Sequence, residues 1–165
     1  MEPQTAFAVC FSGHRPEKLP QDAERRMLKS LLYAEIRTAI KDGADTFYVG
    51  MAQGVDLWAA EAIILLRKEH PVRLIAVRPY ANHGSELKGS ARYRYNTVLK
   101  CADETVVLAE RYHRGCYAQR NSYMVSHSRR LIAVVLNMRS GTGQTIRMAE
   151  KMGLDVRRLT LPTMS

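Results

Sequence analysis

The stretch Val49-Gly50-Met51-Ala52-Gln53-Gly54-Val55-Asp56 follows an apolar, β-branched and aromatic run at residues 46–49 and precedes a helical pattern of apolar residues that extends to about residue 69. It predicts a strand, a tight glycine turn and the N-terminus of a helix. Backbone N–H groups in such a turn can approach an anion closely, and the helix dipole favours negative charge there. Asp56 can cap this helix or accept a hydrogen bond from a ligand hydroxyl.

Two interpretations of this turn stay open at this point. One is an anion site, and the other is a strand-to-helix connection that needs glycine only for its own backbone geometry. Two glycines four residues apart do not specify a ligand by themselves. The rest of the sequence must therefore distinguish the two interpretations.

Strands and helices alternate along the rest of the chain, with short connections between them. This alternation predicts one domain over residues 1–165, with a core at about 6–160, in which helices cover both faces of a mostly parallel sheet. The fold class is thus a three-layer α/β/α arrangement. Strands are predicted over residues 6–11, 46–49, 72–77, 105–109, 131–136 and 156–159, and helices over 21–41, 55–69, 91–100, 120–127 and from the glycine turn at 140–143 to about 152.

The composition is that of an ordinary globular protein, with 165 residues of which 46% are hydrophobic and 25% are charged. The net charge is +9, and residues 87–149 hold eleven basic and three acidic side chains. A basic surface of this kind attracts phosphate groups, either on a small nucleotide or on a nucleic-acid backbone. A solvated basic face without a dedicated partner is the alternative.

The three cysteines, Cys10, Cys101 and Cys116, are odd in number and widely spaced. They predict free thiols in a reducing compartment, so the expected localisation is cytoplasmic. No apolar run approaches the ~20 residues that a membrane helix needs, and residues 1–5 lack the basic start of a signal peptide. We therefore expect no membrane partner.

Unusual polar residues gather on the segments that follow the predicted strands. In open parallel sheets, ligands bind outside the carboxyl ends of the strands, and all these segments would open at that edge. Glycine turns that begin helices, together with several arginines, make a phosphate site the simplest interpretation. Tyr80, Tyr112 and Tyr117 lie on or near these loops and would either stack on a base or pack in the core.

Four motifs in order along the chain resemble one known family. They are Ser12-Gly13-His14-Arg15-Pro16, Gly50-Met51-Ala52-Gln53-Gly54-Val55-Asp56, Arg120-Asn121 followed by Met124-Val125, and Ser140-Gly141-Thr142-Gly143-Gln144-Thr145. Together they resemble the YpsA-like branch of the bacterial SLOG superfamily, which takes its name from the SMF/DprA and LOG proteins. The resemblance extends from about residue 7 to residue 159.

The resemblance implies a Rossmann-like fold whose glycine turns bind a nucleotide or a nucleotide-derived phosphorylated ligand, as a sensor or as an enzyme of unassigned reaction. It also leaves self-association of the chain open. His14, as a binding or turn residue, and Gln53 lie on the same loops and complete the predicted ligand set. That set is Gly13, His14, Arg15, Gly50, Ala52, Gln53, Gly54, Asp56, Arg120, Asn121, Ser140, Gly141, Thr142 and Thr145.

Two relatives within the superfamily suggest alternative functions. LOG enzymes are phosphoribohydrolases that release a base from a nucleoside 5′-monophosphate, with a pair of glutamates on the helix after the second glycine motif. In this chain Arg147 lies about where the first glutamate is expected, and Glu150 follows nearly one helical turn later. Glu150, Asp56 or Glu61 would have to take the place of the missing glutamate pair. DprA-like relatives bind single-stranded DNA, and the basic second half of the chain agrees with that alternative.

Several other chemistries receive no support from the sequence. No cluster of histidine, cysteine or carboxylate side chains has metal-ligand spacing, so no metal site is predicted. A G-x-x-x-x-G-K phosphate loop and a G-x-G-x-x-G dinucleotide motif are both absent from the sequence. We therefore predict no resident cofactor, and the sequence identifies no catalytic residue.

Overall fold

The computed structural model describes residues 6–161. A short 3₁₀ turn at Pro16–Lys18 follows the first strand. The strands are β1 (Ala8–Gly13), β2 (Thr46–Val49), β3 (Arg73–Arg78), β4 (Glu104–Val107), β5 (Arg130–Val134) and β6 (Asp155–Leu159), and the helices are α1 (Asp22–Lys41), α2 (Val55–Leu66), α3 (Gly89–Cys101), α4 (Cys116–Ser126) and α5 (Gly141–Lys151).

The six strands form one sheet in the order β4-β3-β2-β1-β5-β6, and every neighbouring pair is parallel. Cys10 of β1 aligns with Tyr48 of β2 on one side and with Leu131 of β5 on the other. The strand order reverses at β1, because β2 to β4 continue in one direction and β5 and β6 in the other. The predicted Rossmann-like fold with a mostly parallel sheet is therefore confirmed.

Two hydrophobic cores cover the two faces of the sheet. Helices α1, α2 and α3 pack against one face, and α4 and α5 pack against the other. Within β1, Val9 and Phe11 belong to the first core and Cys10 belongs to the second. Because both faces are buried, the strand reads as a nearly continuous apolar run in the sequence.

The amino end of β5 is held by one buried arginine. The Arg130 side chain is 6% exposed and donates from Nη1 to Oδ2 of Asp42 and from Nε to Oδ2 of Asp155, both at 2.9 Å. These contacts connect the end of α1, β5 and β6. They lie at the opposite end of the strands from the carboxyl edge.

Two element boundaries differ from the sequence prediction for identifiable reasons. Strand β1 extends to Gly13 because its last two residues pair with Ala133 and Val134 of β5. Helix α4 begins at Cys116, four residues before the helix predicted over residues 120–127. Gly115 has φ +86°, a left-handed conformation that glycine adopts readily, and it begins the helix there.

Within residues 6–161, no helix combines the length and the apolar character that crossing a membrane requires. The predicted single domain over residues 1–165 extends beyond the described part and stays a prediction. The cytoplasmic localisation also stays a prediction.

Candidate functional site

A cleft of about 1060 Å³ opens at the carboxyl edge of the sheet. It lies where the strand order reverses, because β1 is followed by a helix on one face and β5 by a helix on the other. The two connections therefore separate and leave a crevice between them, which is where open α/β sheets bind ligands. The walls come from the segments that follow β1, β2, β3 and β5 and from α4.

Most of the predicted ligand residues line this cleft, although they are far apart in the sequence. Proximity to a cleft does not by itself establish a contact with a ligand, so their binding role stays a prediction. The predicted residues that line it are Gly13, His14, Arg15, Ala52, Gln53, Asp56, Arg120, Asn121, Ser140, Gly141 and Thr142.

Gly50, Gly54 and Thr145 are the predicted residues outside the cleft lining. A Cβ at Gly50 would meet Arg120 Nε and Asp56 Oδ2 at 2.9 Å, so glycine leaves room for these two side chains. Gly54 precedes α2 with φ +93°, which favours glycine. The Thr145 hydroxyl donates to the carbonyl oxygen of the first residue of α5 at 2.9 Å. Each residue has a role within the protein, and a ligand contact stays a prediction.

The start of α5 presents backbone donors to the cleft. Ser140 is the N-cap residue, and its Oγ accepts a hydrogen bond from the Gly143 N–H at 3.1 Å. The N–H groups of Gly141 and Thr142 have no acceptor within residues 6–161. Free N–H groups at a helix N-terminus, together with the helix dipole, form an environment that favours an anion.

Three basic side chains, those of Arg15, Lys18 and Arg139, also line the cleft and are exposed. In the described part of the chain, none of the three forms an ion pair or a side-chain hydrogen bond. Arg15 also forms no ion pair with the neighbouring Glu17 in the structure of residues 6–161. These cations are therefore available to an anionic ligand.

A buried carboxylate and a buried arginine face each other at the base of the cleft. Asp56 is 5% exposed and accepts from the Ala52 N–H at 3.2 Å, while Arg120 is 7% exposed. Burial raises the pKa of the Asp56 carboxyl, and the Arg120 charge opposes that rise. Burial also lowers the pKa of Arg120, and Asp56 opposes that change. The two charges thus partly compensate each other's loss of hydration.

Arg120 is held by the protein through three of its five N–H groups. Its Nη1 donates to the Gly50 carbonyl oxygen at 3.1 Å, and its Nε and Nη2 donate to Asn121 Oδ1 at 3.3 and 3.2 Å. The sequence placed Arg120 and Asn121 at the start of a helix, and this position is wrong because α4 begins four residues before Arg120. The two remaining N–H groups have no acceptor within residues 6–161.

Two histidines line the cleft as neutral side chains. His14 Nε2 accepts a hydrogen bond from the Leu136 N–H at 2.9 Å, so this nitrogen carries no proton and Nδ1 is the donor. Burial lowers the pKa of His14, and the nearby Lys18 charge lowers it further. Burial also lowers the pKa of His83 to about 4, and the Arg120 charge adds to this effect. Neither imidazole contributes a positive charge at neutral pH.

The tautomer of His83 follows from its neighbours. The buried Tyr95 hydroxyl accepts from Arg78 Nε at 3.2 Å and lies 2.8 Å from His83 Nδ1. Within residues 6–161 the proton of this buried hydroxyl has no acceptor other than His83 Nδ1, so we assign its hydrogen bond to that nitrogen. His83 therefore carries its proton on Nε2, which is the ring nitrogen left to donate to a ligand.

Four rings form a cluster at the β3 side of the cleft, and we call Tyr80, His83, Tyr112 and Tyr117 the aromatic corner. Tyr80 makes edge contacts with the other three rings, at centroid distances of 5.3 Å to His83, 5.8 Å to Tyr112 and 6.4 Å to Tyr117. The guanidinium of Arg120 lies 5.3 Å over the Tyr117 ring. His83 and Tyr117 line the cleft itself.

Some cleft residues received no site assignment from the sequence. Pro16, Glu17 and Lys18 come from the 3₁₀ turn after β1, and His83, Glu86 and Leu87 come from the long β3–α3 connection. His83, Tyr117, Asn137 and Arg139 were recognisable as polar or aromatic residues on segments that follow strands. The unassigned lining residues are Phe11, Ser12, Pro16, Glu17, Lys18, His83, Glu86, Leu87, Tyr117, Leu136, Asn137 and Arg139.

The structure separates the carboxylates that would have to replace a LOG-type glutamate pair. Glu61 pairs with Arg94, and Glu150 pairs with Arg158 on the surface. Neither of these glutamates lines the cleft, whereas Asp56 does. Of the three acids considered from the sequence, only Asp56 has access to a ligand in this cleft.

Comparisons with known proteins agree with the fold and motifs. The YspA SLOG family model matches residues 9–154. A UPF0398 protein of Macrococcus caseolyticus is 28% identical over 70% of this chain and 65% of its own length. The SPbeta prophage-derived protein YoqJ of Bacillus subtilis is 28% identical over 75% of this chain and 81% of its own length. The chain spans less than two thirds of several UPF0398 relatives, including 58% of one from Halalkalibacterium halodurans.

Two solved structures of DNA processing protein A share the fold. The Streptococcus pneumoniae protein has a TM-score of 0.63 and 18% identity, over 93% of this chain and 50% of that protein. The Helicobacter pylori protein, which binds single-stranded DNA, has a TM-score of 0.65 and 20% identity, over 93% of this chain and 65% of that protein. At these identities the likeness concerns the fold. The family match covers most of the chain, which therefore belongs to the YspA SLOG family.

Proposed function

We propose that this chain binds a phosphorylated, nucleotide-derived ligand in the cleft at the carboxyl edge of the sheet. The observation that carries the proposal is the convergence of unpaired donors at the start of α5. The free N–H groups of Gly141 and Thr142 share the cleft with the unpaired Arg15 and Arg139 side chains. Such a set of donors fits the several oxygens of a phosphate group.

The opposite end of the cleft supports the nucleotide part of the proposal. His83 and Tyr117 supply aromatic surface there, and Asn121 and Gln53 supply side-chain amides. The Nε2 atom of Gln53 is buried and has no hydrogen-bond partner within residues 6–161. An unpaired buried donor costs about 1–3 kcal/mol, and a modest rotation of this side chain towards a ligand oxygen would remove that cost.

A thermal-shift experiment tests the proposal. A ligand present at about 100 times its Kd stabilises the folded state by roughly 2.7 kcal/mol. For a chain of this size we expect the melting temperature to rise by about 5–10 °C with a suitable nucleotide or nucleotide sugar. Native mass spectrometry of gently purified protein gives an independent readout, because a co-purified ligand would appear as a defined added mass.

Matched variants connect any binding to the cleft. Removing a charged donor to phosphate costs about 1.5–3 kcal/mol, so Arg139→Ala and Arg15→Ala should each weaken binding roughly 10- to 150-fold. Arg37→Ala removes the same kind of exposed side chain from α1 and should leave affinity unchanged. The proposal fails if no nucleotide stabilises the protein, or if the three variants bind equally well.

Single-stranded DNA binding is a second candidate function, and the β4–α4 connection favours it. Arg111 and Arg114 are exposed on either side of Tyr112, which belongs to the aromatic corner. Alternating cations and aromatic rings suit a nucleic-acid strand with unstacked bases. The affinity should then fall with salt, with a slope of about −0.7 for each phosphate contacted. Arg111→Ala together with Arg114→Ala should reduce that slope by about 1.4, and an unchanged slope would contradict this candidate.

A LOG-type reaction is a different outcome of the same ligand screen. Incubation with AMP would then release free adenine, which chromatography detects directly. Because Asp56 is the acid of the three that reaches the cleft, Asp56→Asn should abolish that release. Absence of adenine after prolonged incubation with a bound monophosphate removes this alternative.

A further inference from the structure

The aromatic corner is a surface feature that the cores of the protein do not explain. Neither hydrophobic core contains Tyr80, Tyr112 or Tyr117, although Tyr95 beside them is 2% exposed and belongs to the first core. Tyr112 is 59% exposed. The sequence left base stacking and core packing as equal alternatives for these tyrosines, and their absence from both cores removes the second.

The geometry of the corner leaves aromatic surface available. Tyr80 meets its three neighbours at interplanar angles between 63° and 90°, so none of these contacts is a parallel stack that would cover the facing sides of both rings. Arg120 supports the Tyr117 ring from one side, and that ring lines the cleft. His83 adds an Nε2–H donor whose tautomer Tyr95 determines. A flat heterocycle with hydrogen-bonding edges fits this combination of ring surface and donor.

The distance between the corner and the start of α5 sets the length of the ligand. His83 follows β3 and Gly141 follows β5, and these strands are three positions apart in the sheet. At about 4.8 Å between neighbouring strands, the two ends of the cleft are roughly 14 Å apart. In a nucleoside monophosphate a single ribose separates the base from the phosphate. Once a hydrogen bond at each end is counted, an extended nucleotide spans a distance of this order, so one nucleotide can reach both ends at once.

We infer that the aromatic corner is the base-binding subsite of the cleft and that the sugar and phosphate of the same ligand extend from it to the start of α5. The inference rests on the proposed function, since it assumes that the start of α5 receives an anionic group. It adds the position of the base within the cleft. Mononucleotides, dinucleoside pyrophosphates and short single strands share this chemistry.

Calorimetric titration with three small probes tests the base subsite. Ribose 5-phosphate offers the anion without a base, AMP adds one base, and NAD⁺ places two nucleosides around a pyrophosphate. We expect AMP and NAD⁺ each to bind at least tenfold more tightly than ribose 5-phosphate, because only these two probes place a base on the aromatic corner. Affinities of both that equal the affinity of ribose 5-phosphate would overturn the base subsite.

Substitutions at Tyr117 test the base subsite. Loss of an aromatic stacking partner costs about 1–3 kcal/mol per base, so Tyr117→Leu should weaken NAD⁺ binding about 5- to 150-fold and leave ribose 5-phosphate binding unchanged. Tyr117→Phe keeps the ring and should stay within about twofold of the natural protein. Tyr93→Leu removes a tyrosine that is 74% exposed on α3, away from the corner, and serves as the matched control.

The Tyr117→Leu variant also removes the ring that Arg120 contacts, so a second variant tests the subsite without changing that contact. Tyr112 is mostly exposed and has no cation–π contact with that arginine, so Tyr112→Leu should fold normally by circular dichroism. It should still weaken NAD⁺ binding several-fold. Unchanged NAD⁺ binding in both leucine variants overturns the base subsite.

The outcomes separate this inference from the proposed function. If ribose 5-phosphate, AMP and NAD⁺ all fail to bind, the proposed function fails. If all three bind and Arg139→Ala weakens them but Tyr117→Leu does not, the proposed function stands and the base subsite is wrong. A ten-residue oligothymidylate that binds more tightly than NAD⁺ and is weakened by Tyr117→Leu would support the subsite and identify single strands as the source of the base.

Discussion

The two glycines at the start of α5 should respond in opposite ways to the same substitution. A Cβ added at Gly141 meets no atom within 4 Å, whereas one added at Gly143 would lie 1.8 Å from the carbonyl oxygen of Met138. Both residues lie in the first turn of the same helix. Gly141→Ala and Gly143→Ala are therefore a matched pair in which only the local space differs.

The structure gives a magnitude for each change. Alanine replaces glycine in a helix with a gain of about 0.5–1 kcal/mol, so Gly141→Ala should raise the free energy of unfolding by that amount. In Gly143→Ala the backbone must open by more than 1 Å, because ordinary contacts begin at about 3.4 Å. Overpacking costs about 1–3 kcal/mol, and loss of the Ser140 cap adds about 1 kcal/mol. We expect a total loss of roughly 2–4 kcal/mol.

Urea denaturation measures both effects. Trp58 is the only tryptophan, and it lies on α2 across the sheet from α5, so its fluorescence reports global unfolding without local changes at the substituted turn. Far-UV circular dichroism should give the same midpoint, with unchanged dependence on urea. Equal stability of the two variants would refute the reasoning, because the Met138 carbonyl would then not restrict residue 143.

Three further predictions concern buried polar groups. The pKa of His14 is lower in the folded state, so below pH 6.5 the unfolded chain binds more protons than the folded chain. The free energy of unfolding should therefore fall as the pH decreases from about 7 to 5. In urea titrations, His14→Gln should show a smaller dependence of stability on pH. Asp56→Asn keeps an acceptor for the Ala52 N–H but leaves the buried Arg120 charge without the carboxylate that partly compensates it, so chemical denaturation should show a loss of about 1–3 kcal/mol. Arg130→Ala, at the opposite end of the strands, should lower stability by about 1–3 kcal/mol and leave ligand affinity in calorimetry unchanged.

The architecture follows from sequence patterns because parallel strands buried on both faces leave continuous apolar runs. The run before Gly50 and the run over residues 131–136 both mark strands of the structure. Strand ends are less predictable because the partner determines them. The final residues of β1 are Ser12 and Gly13, and they are strand residues because β5 pairs with them.

The glycine motifs also illustrate what a pattern leaves open. Gly13 permits close packing of β1 on α2, because a Cβ there would meet Val55 Cγ2 at 2.3 Å. Gly143 is required by the Met138 carbonyl. Met51 is not glycine but has φ +64° inside the predicted glycine turn, and its fully buried side chain holds it there. A motif thus indicates a turn without showing which of its residues adopts the positive φ or needs the space that a missing Cβ leaves.

The least predictable parts of the site depend on contacts between distant residues. His14 reaches the Leu136 N–H across 122 positions, and the tautomer of His83 depends on Tyr95 and Arg78. No local spacing encodes these contacts, because they arise only when the sheet order brings the segments together. The sequence can therefore indicate which side chains are able to donate or accept hydrogen bonds at the site, while the fold determines how those side chains are oriented.

The central position of β1 has a consequence for synthesis on the ribosome. A nascent chain that has produced β1 to β4 has one side of β1 without a partner, because β5 begins only at residue 130. An apolar strand edge of this kind invites pairing with another chain. The same late segment supplies the α5 end of the cleft. The segment that covers this edge of β1 and the segment that completes the cleft therefore leave the ribosome together.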